Sequence, residues 1–293
     1  MTEGLQSGAM PPIDHIVEHA PAKVNLVLHV GSPREDGLHP LCSLFGSLDL
    51  ADVVTVEGAG SKDTVICPGV EGENLAARAL AAFRSAAPDA WLPFLRVTID
   101  KRIPVAAGMG GGSADAAAAL RAANALAGEP LDLDALRGIG AAVGSDVPSQ
   151  IEPRSALVTG TGEEVEPVAI AQLSLVLVPQ HQGLSTATVY AELDRLRAAG
   201  EVSRRESLDP REVRNLASRS PGELAAGLEN DLEASALSLR PDLERPLSDL
   251  QDAGALGTRI TGSGPTAFGV FGDRGSAEAA SRTIPGSVVV TTR

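Results

Sequence analysis

The stretch "PVAAGMGGGSADAAAAL" (Pro104–Leu120) sets four glycines, at 108, 110, 111 and 112, ahead of a serine and a run of alanines. So much backbone freedom is costly inside a helix or strand, so the glycines form a loop. Its flanks are clear. "LRVTIDKRI" (Leu95–Ile103) alternates as a strand does. Ser113–Leu126 is helical by alanine propensity, with Gly128 as its stop. A strand entering a glycine loop that leaves as a helix makes an anion site, because free N–H groups and the helix dipole point outward there. Ser113 either caps that helix or offers its hydroxyl to a phosphate oxygen or a hydrated Mg²⁺. The spacing fits neither G-x-x-x-x-G-K-S/T nor G-x-G-x-x-G, since the residue three after Gly110 is Ser113. Taken alone, the stretch is equally a tight turn before a buried helix.

The rest of the chain mixes strands and helices without strict alternation. "EHAPAKVNLVLHV" (Glu18–Val30) reads as a strand, and "LCSLFGSLDLADVVTVEG" as one or two more. Glu73–Ala87 and "LDLDALRGIGAAVG" are helix-like, and "SALVTGTGEEVEPV" is a hairpin. A composition shift near residue 170 opens a second unit with a strand at Leu173–Pro179. Helices follow at Thr186–Ala199 and broadly over Arg211–Leu256, then strand, glycine loop and strand at Gly257–Gly272, a short helix and a last strand. Adjacent strands that can pair antiparallel favour an α+β fold over a doubly wound parallel sheet. Residues 1–15 read as a loose tail, and Met10 is an alternative start.

Composition removes several function classes. A formal net charge of −14 argues against nucleic-acid binding through a broad basic surface. It leaves room for a small anionic substrate, because local cations and backbone amides outweigh a distant field. Aromatics are 2 %, so Ala, Leu and Val must build the core. Cys42 and Cys67 make no disulfide framework or four-ligand zinc site, and read as reduced thiols of a cytoplasmic protein. No membrane span or signal peptide is visible. The five histidines have no metal spacing, so no metal-ligand set is expected. Among 24 basic residues only Lys23, Lys62 and Lys101 are lysine.

Three further places carry chemistry. "PAKVNL" puts Lys23 and Asn25 on one face of a strand. "GSDVP" puts Asp146 after a glycine-closed helix, either as an N-cap with proline in the first turn or as a carboxylate presented to a substrate hydroxyl. "TGSGPTAFGVF" holds a second glycine loop at Gly262–Gly264, otherwise a hairpin turn.

Together these pieces resemble the GHMP kinases, the family of galactokinase, homoserine kinase and mevalonate kinase. Five further stretches are similar, in the same order, to the bacterial members that act on a cytidyl diphosphate: "PAKVNLVLHVGSPREDGLHPLCSLFGSLDLAD", "GSDVP", "GLSTATVYAELDRL", "NDLE" and "TGSGPTAFGVF". The resemblance covers roughly residues 18–272. It implies a two-domain fold, a ribosomal-protein-S5-like domain over 16–168 and a ferredoxin-like α/β sandwich over 169–293, with ATP in the cleft. It implies ATP-dependent phosphorylation of the 2-hydroxyl of 4-diphosphocytidyl-2-C-methyl-D-erythritol, in the non-mevalonate (MEP) route to isoprenoids, by a cytoplasmic monomer or homodimer. By motif, Lys23 and Asp146 would be catalytic. Pro104, Val105, Ala106, Ala107, Gly108, Met109, Gly110, Gly111, Gly112, Ser113 and Ala114 would wrap the phosphates of Mg²⁺-bound ATP. Asn74 and Lys101 would lie near the nucleotide. Asn25, His39, Thr186, Thr188 and Tyr190 would meet the cytidyl substrate. Three places depart from the family pattern. Leu38 stands for a tyrosine that would stack on cytosine, Ser149 for a phenylalanine, and Pro153 and Arg154 fall where a Gly-Gly pair is usual. The competing readings are a GHMP kinase for another small alcohol and a nucleotide-binding protein without catalysis.

Overall fold

The computed structural model describes residues 15–293. The tail expected over 1–15 and the alternative start at Met10 lie outside the described residues, His15 apart.

Two sheets organise the chain. The first is built on two long strands, β1 (Ile16–Val30) and β2 (Leu41–Gly58), which pair antiparallel along nearly their whole length. The stretch expected as one or two strands after residue 40 is thus one, 18 residues long. Its apolar alternation continues through Asp52 because that carboxylate is satisfied inside the fold, as described below. β3 (Thr64–Ile66) and β4 (Leu95–Asp100) extend this sheet on one side. The hairpin β5 (Ala156–Thr159) and β6 (Glu164–Pro167) pairs with the other half of β2.

Four helices cover the sheet: α1 (Leu75–Ala86), α2 (Gly111–Leu126), α3 (Leu133–Val143) and α4 (Val147–Ile151). α2 is the central one. Its alanines 114, 116–119, 122 and 123 are all buried, and their small side chains let α1 and β1 approach closely. Asn74 and Asp132 cap α1 and α3 with side-chain oxygens that accept from Ala76 and Ala135 N–H.

The second sheet holds β7 (Ser174–Val178), β9 (Gly257–Ile260), β10 (Ala267–Phe271) and β11 (Val288–Thr291), in the order β11-β7-β10-β9. Helices lie between β7 and β9 and, as α10 (Arg274–Ser281), between β10 and β11. That is the β-α-β-β-α-β plan of ferredoxin-like sandwiches. The helices expected broadly over Arg211–Leu256 are α6 (Pro210–Ala217), α7 (Pro221–Ala226), α8 (Glu233–Leu239) and α9 (Glu244–Asp252), preceded by α5 (Thr186–Ala198). Pro210, Pro221 and Pro241 each start a new helical segment, as proline does in a first turn. Between α7 and α8 the two-residue strand β8 (Glu229–Asn230) returns to the first sheet and pairs parallel with β1. Isolated bridge pairing also joins Leu48 to Thr292 beyond β11.

Candidate active site

The site forms where β1, the loop before α2, the start of α4 and α5 come together. The β1–β2 register slips between Pro21 and Lys23 and again between Asn25 and Val27. Such irregularities re-aim side chains, and here they bracket Lys23 and Asn25. Lys23 is 4 % exposed. Its Nζ donates to Asn25 Oδ1 at 2.8 Å, lies 3.3 Å from Asp146 Oδ2 and sits 4.6 Å from the centroid of the Phe45 ring. A buried ammonium needs such partners. Asn25 is itself fixed, its N–H donating to Thr261 Oγ1 and its Nδ2 to Ser43 Oγ.

Asp146 occupies the N-cap position of α4, but its side chain makes no capping bond. The N-cap alternative is therefore only half realised: the backbone starts a helix while the carboxylate faces Lys23. Ser149 Oγ donates to the Asp146 carbonyl at 2.8 Å and holds that backbone.

The glycine loop joins these parts. Lys23 N–H donates to Met109 O at 3.1 Å. Gly110, at φ +70°, is the N-cap of α2, so Ser113 lies inside the first turn and does not cap the helix. Gly108 has φ +75°, and a Cβ there would meet Gly264 O of the second glycine loop at 2.4 Å. Asn230 Nδ2 pins that second loop by donating to Ile260 O and Gly262 O.

Two cavities open on either side of the loop. The larger, of ≈ 670 Å³, is lined by Lys23, Asn25, His39, Asp146, Thr186 and Tyr190 among others. The smaller, of ≈ 440 Å³, is lined by every residue from Pro104 to Ser113, by Asn74 and by Lys101. Gly108, Gly110 and Thr186 belong to both walls. Thr186 Oγ1 is 3.0 Å from Ser263 Oγ. In the larger cavity, His39 Nε2 is 3.0 Å from Asp194 Oδ1, and its ring centroid is 5.0 Å from that of Tyr190. Burial, with the charge of Asp146 adding to it, pushes the Tyr190 phenol up to about 12.

Two of the sequence-selected residues lie elsewhere. Ala114 turns into the core, 1 % exposed, because it faces the sheet side of α2. Thr188 is exposed and lines neither cavity, since two residues after Thr186 is more than half a turn round α5. Its N–H donates to the capping Ser185 Oγ.

Similarity to known proteins gives the family. Models of the GHMP kinases N terminal domain and the GHMP kinases C terminal match residues 74–152 and 213–288. A 4-diphosphocytidyl-2-C-methyl-D-erythritol kinase of Saccharopolyspora erythraea is 43 % identical, aligned over 94 % of this chain and 89 % of that protein. The chain belongs to the 4-diphosphocytidyl-2-C-methyl-D-erythritol kinase family of GHMP kinases. The relative of that name in Mycolicibacterium smegmatis is also 43 % identical, over 86 % of this chain and 80 % of its own. A crystal structure titled 4-(cytidine 5'-diphospho)-2C-methyl-D-erythritol kinase superposes with a TM-score of 0.76 at 32 % identity, covering 94 % of this chain and 98 % of that one. A mevalonate kinase from L. major shares the fold, with a TM-score of 0.66 at 15 % identity. No helix among the described residues is long and apolar enough to cross a membrane.

The departures from the family pattern now have positions. Leu38 is 54 % exposed and lines the larger cavity. Ser149, Pro153 and Arg154 line neither cavity. Ser149 braces Asp146, and Arg154 pairs with Glu152 in the turn before β5.

The sequence reading selected Lys101 but missed the two carboxylates, Asp52 and Asp115, that hold it. Lys101 lines the smaller cavity, but its ammonium is held between Asp52 Oδ2 and Asp115 Oδ2. Asp52 is fully buried, and its Oδ1 accepts from the N–H groups of Arg102 and Ile103. Asp115 Oδ1 is buried without a hydrogen-bond partner, and burial pushes this carboxyl up to about 7 despite the nearby Lys101. The only hint was a charged residue inside an alanine run. Its raised value sets a sign. The fold favours protonated Asp115, so that share of stability is present below about pH 4 and lost as pH rises toward 7. Replacing Asp115 with asparagine should therefore make stability less sensitive to pH. Urea midpoints at pH 5 and pH 8 should show the variant gaining on the wild type by about 1–3 kcal/mol at the higher pH. An unchanged difference between the two pH values would remove the buried carboxylate as the cause.

Proposed function

We propose that the chain transfers the γ-phosphoryl group of ATP to the 2-hydroxyl of 4-diphosphocytidyl-2-C-methyl-D-erythritol. The observation that carries this reading is the Lys23–Asp146 pair beside the glycine wall shared by two cavities. One cavity takes ATP and the other the acceptor. The loop Pro104–Ser113, with the N-terminus of α2 behind it, supplies backbone donors and a favourable dipole to the phosphates. Asn74 and the neutralised Lys101 line the same space and suit contact with an uncharged base and sugar better than with phosphate.

Asp146 accepts the proton of the acceptor hydroxyl, whose oxygen then bonds to the γ-phosphorus as the bond to the β–γ bridging oxygen breaks and ADP leaves. Lys23 keeps the carboxylate ionised and offsets negative charge at the transferring group. Asn25 holds Lys23 in line. Most of the catalysis is positioning and electrostatics, as phosphoryl transfer requires. Mg²⁺ would be held by Ser113 Oγ with phosphate and water oxygens, an all-oxygen set that suits it and lessens charge on the phosphates.

Leu38 favours one second reading, an acceptor without a base to stack, because an exposed aliphatic side chain replaces an aromatic at the cavity. ADP release with Mg·ATP separates the two. Turnover is expected with the cytidyl compound, with kcat of about 1–100 s⁻¹, and none with homoserine or mevalonate. Release with one of those alcohols would transfer the function to it. ATP binding without turnover on any of the three would remove this acceptor.

A further inference from the structure

The larger cavity ends in a built hydrogen-bonding group that the phosphoryl chemistry does not use. His39 is 6 % exposed at its side chain, and Nε2 lies 3.0 Å from Asp194 Oδ1. Asp194 stands one turn beyond Tyr190 and two beyond Thr186 on α5, and all three line the cavity. A carboxylate only accepts hydrogen bonds, so Nε2 carries the proton. In the neutral ring Nδ1 is then an acceptor. It makes no hydrogen bond to a described residue, and His39 lines the cavity in which a ligand would meet it. The Leu38 side chain in the same wall carries no polar atom that could compete.

We infer that Asp194 is a positioning residue: it locks His39 in the Nε2–H form and so makes this end of the cavity prefer cytosine over uracil. This rests on the proposed reading that the cavity takes a cytidyl group. Cytosine offers an exocyclic amine, a donor, where uracil offers a carbonyl oxygen, an acceptor. A fixed imidazole acceptor pairs with the first and repels the second. A free imidazole would switch tautomer and serve both. The aromatic face of Tyr190 stacks on either base and does not discriminate.

The test uses CDP and UDP as binding probes on the full chain, by calorimetry, for the wild type and Asp194→Ala. CDP should bind the wild type about 10–100-fold more tightly than UDP. In the variant the ratio should fall to within about threefold, chiefly by gain of UDP affinity as the freed imidazole turns a donor to the uracil carbonyl. Nitrogen-15 shifts of His39 should change from the single Nε2–H pattern to a tautomer mixture, with the rest of the spectrum unmoved. A structural role alone would weaken both ligands equally and leave the ratio intact. Equal CDP and UDP affinity in the wild type, or a preference kept by Asp194→Ala, would overturn the inference. Failure of the proposed acceptor reads out separately: it appears as absent ADP release with the cytidyl compound while the CDP preference stands.

Discussion

Replacing Asp146 with asparagine is expected to lower kcat by about 10²–10⁴-fold, the range a positioned general base supplies. Affinity for ATP should stay within about threefold, because Asp146 lines only the larger cavity, the one proposed for the acceptor. The substitution is suited to separating chemistry from folding. The Asp146 side chain makes no capping bond, so asparagine gives up no cap. The backbone hold from Ser149 reaches the Asp146 carbonyl and is untouched. Lys23 loses a counter-charge at 3.3 Å but keeps Asn25 Oδ1 and the Phe45 ring. Stopped-flow turnover together with nucleotide titration measures both halves. A kcat within a factor of a few of the wild type would end the general-base role of Asp146.

Gly108→Ala should damage stability and turnover together. Two costs coincide there. The backbone sits at φ +75°, which costs a residue with a Cβ about 1–2 kcal/mol. The added methyl would also meet Gly264 O at 2.4 Å, a backbone atom that no rotamer change moves aside. Since Gly108 belongs to both cavity walls, any relaxation displaces the phosphate loop from Lys23 as well. Loss of at least 10²-fold in kcat/KM is expected, with a melting temperature lower by several degrees. Gly128→Ala is the control. It has a similar φ of +83° but open space around it and no place in either cavity, so it should lose stability without a comparable loss of turnover.

What could be read before folding was what local spacing carries. Period two put Lys23 beside Asn25, and the structure joins them by a hydrogen bond. Strand, glycines and alanines gave β4, the loop and α2 in order. Residue spacing alone left Asp146 between a helix cap and a carboxylate presented to substrate, and only the motif resemblance implied the second. Asp194 was missed, although it follows Tyr190 at the four-residue spacing of a helix face. A single surface-type aspartate gives no sign of the histidine it meets 155 positions away. Asp52 and Asp115 were missed for the same reason. Their meaning lies in sharing Lys101, a contact joining β2, the residue after β4 and α2 that no window of sequence contains. The helices expected broadly after residue 210 are there, and their separate starts follow the prolines at 210, 221 and 241.

The returning strand β8 has a mechanical consequence. Two residues from the second half of the chain are hydrogen-bonded into the sheet of the first, beside the part of β1 that follows Asn25. The far end of the chain is tied back as well, through Leu48 and Thr292 and through the two bonds Asp49 accepts from Thr291. A clamshell opening of the cleft would have to break both seams.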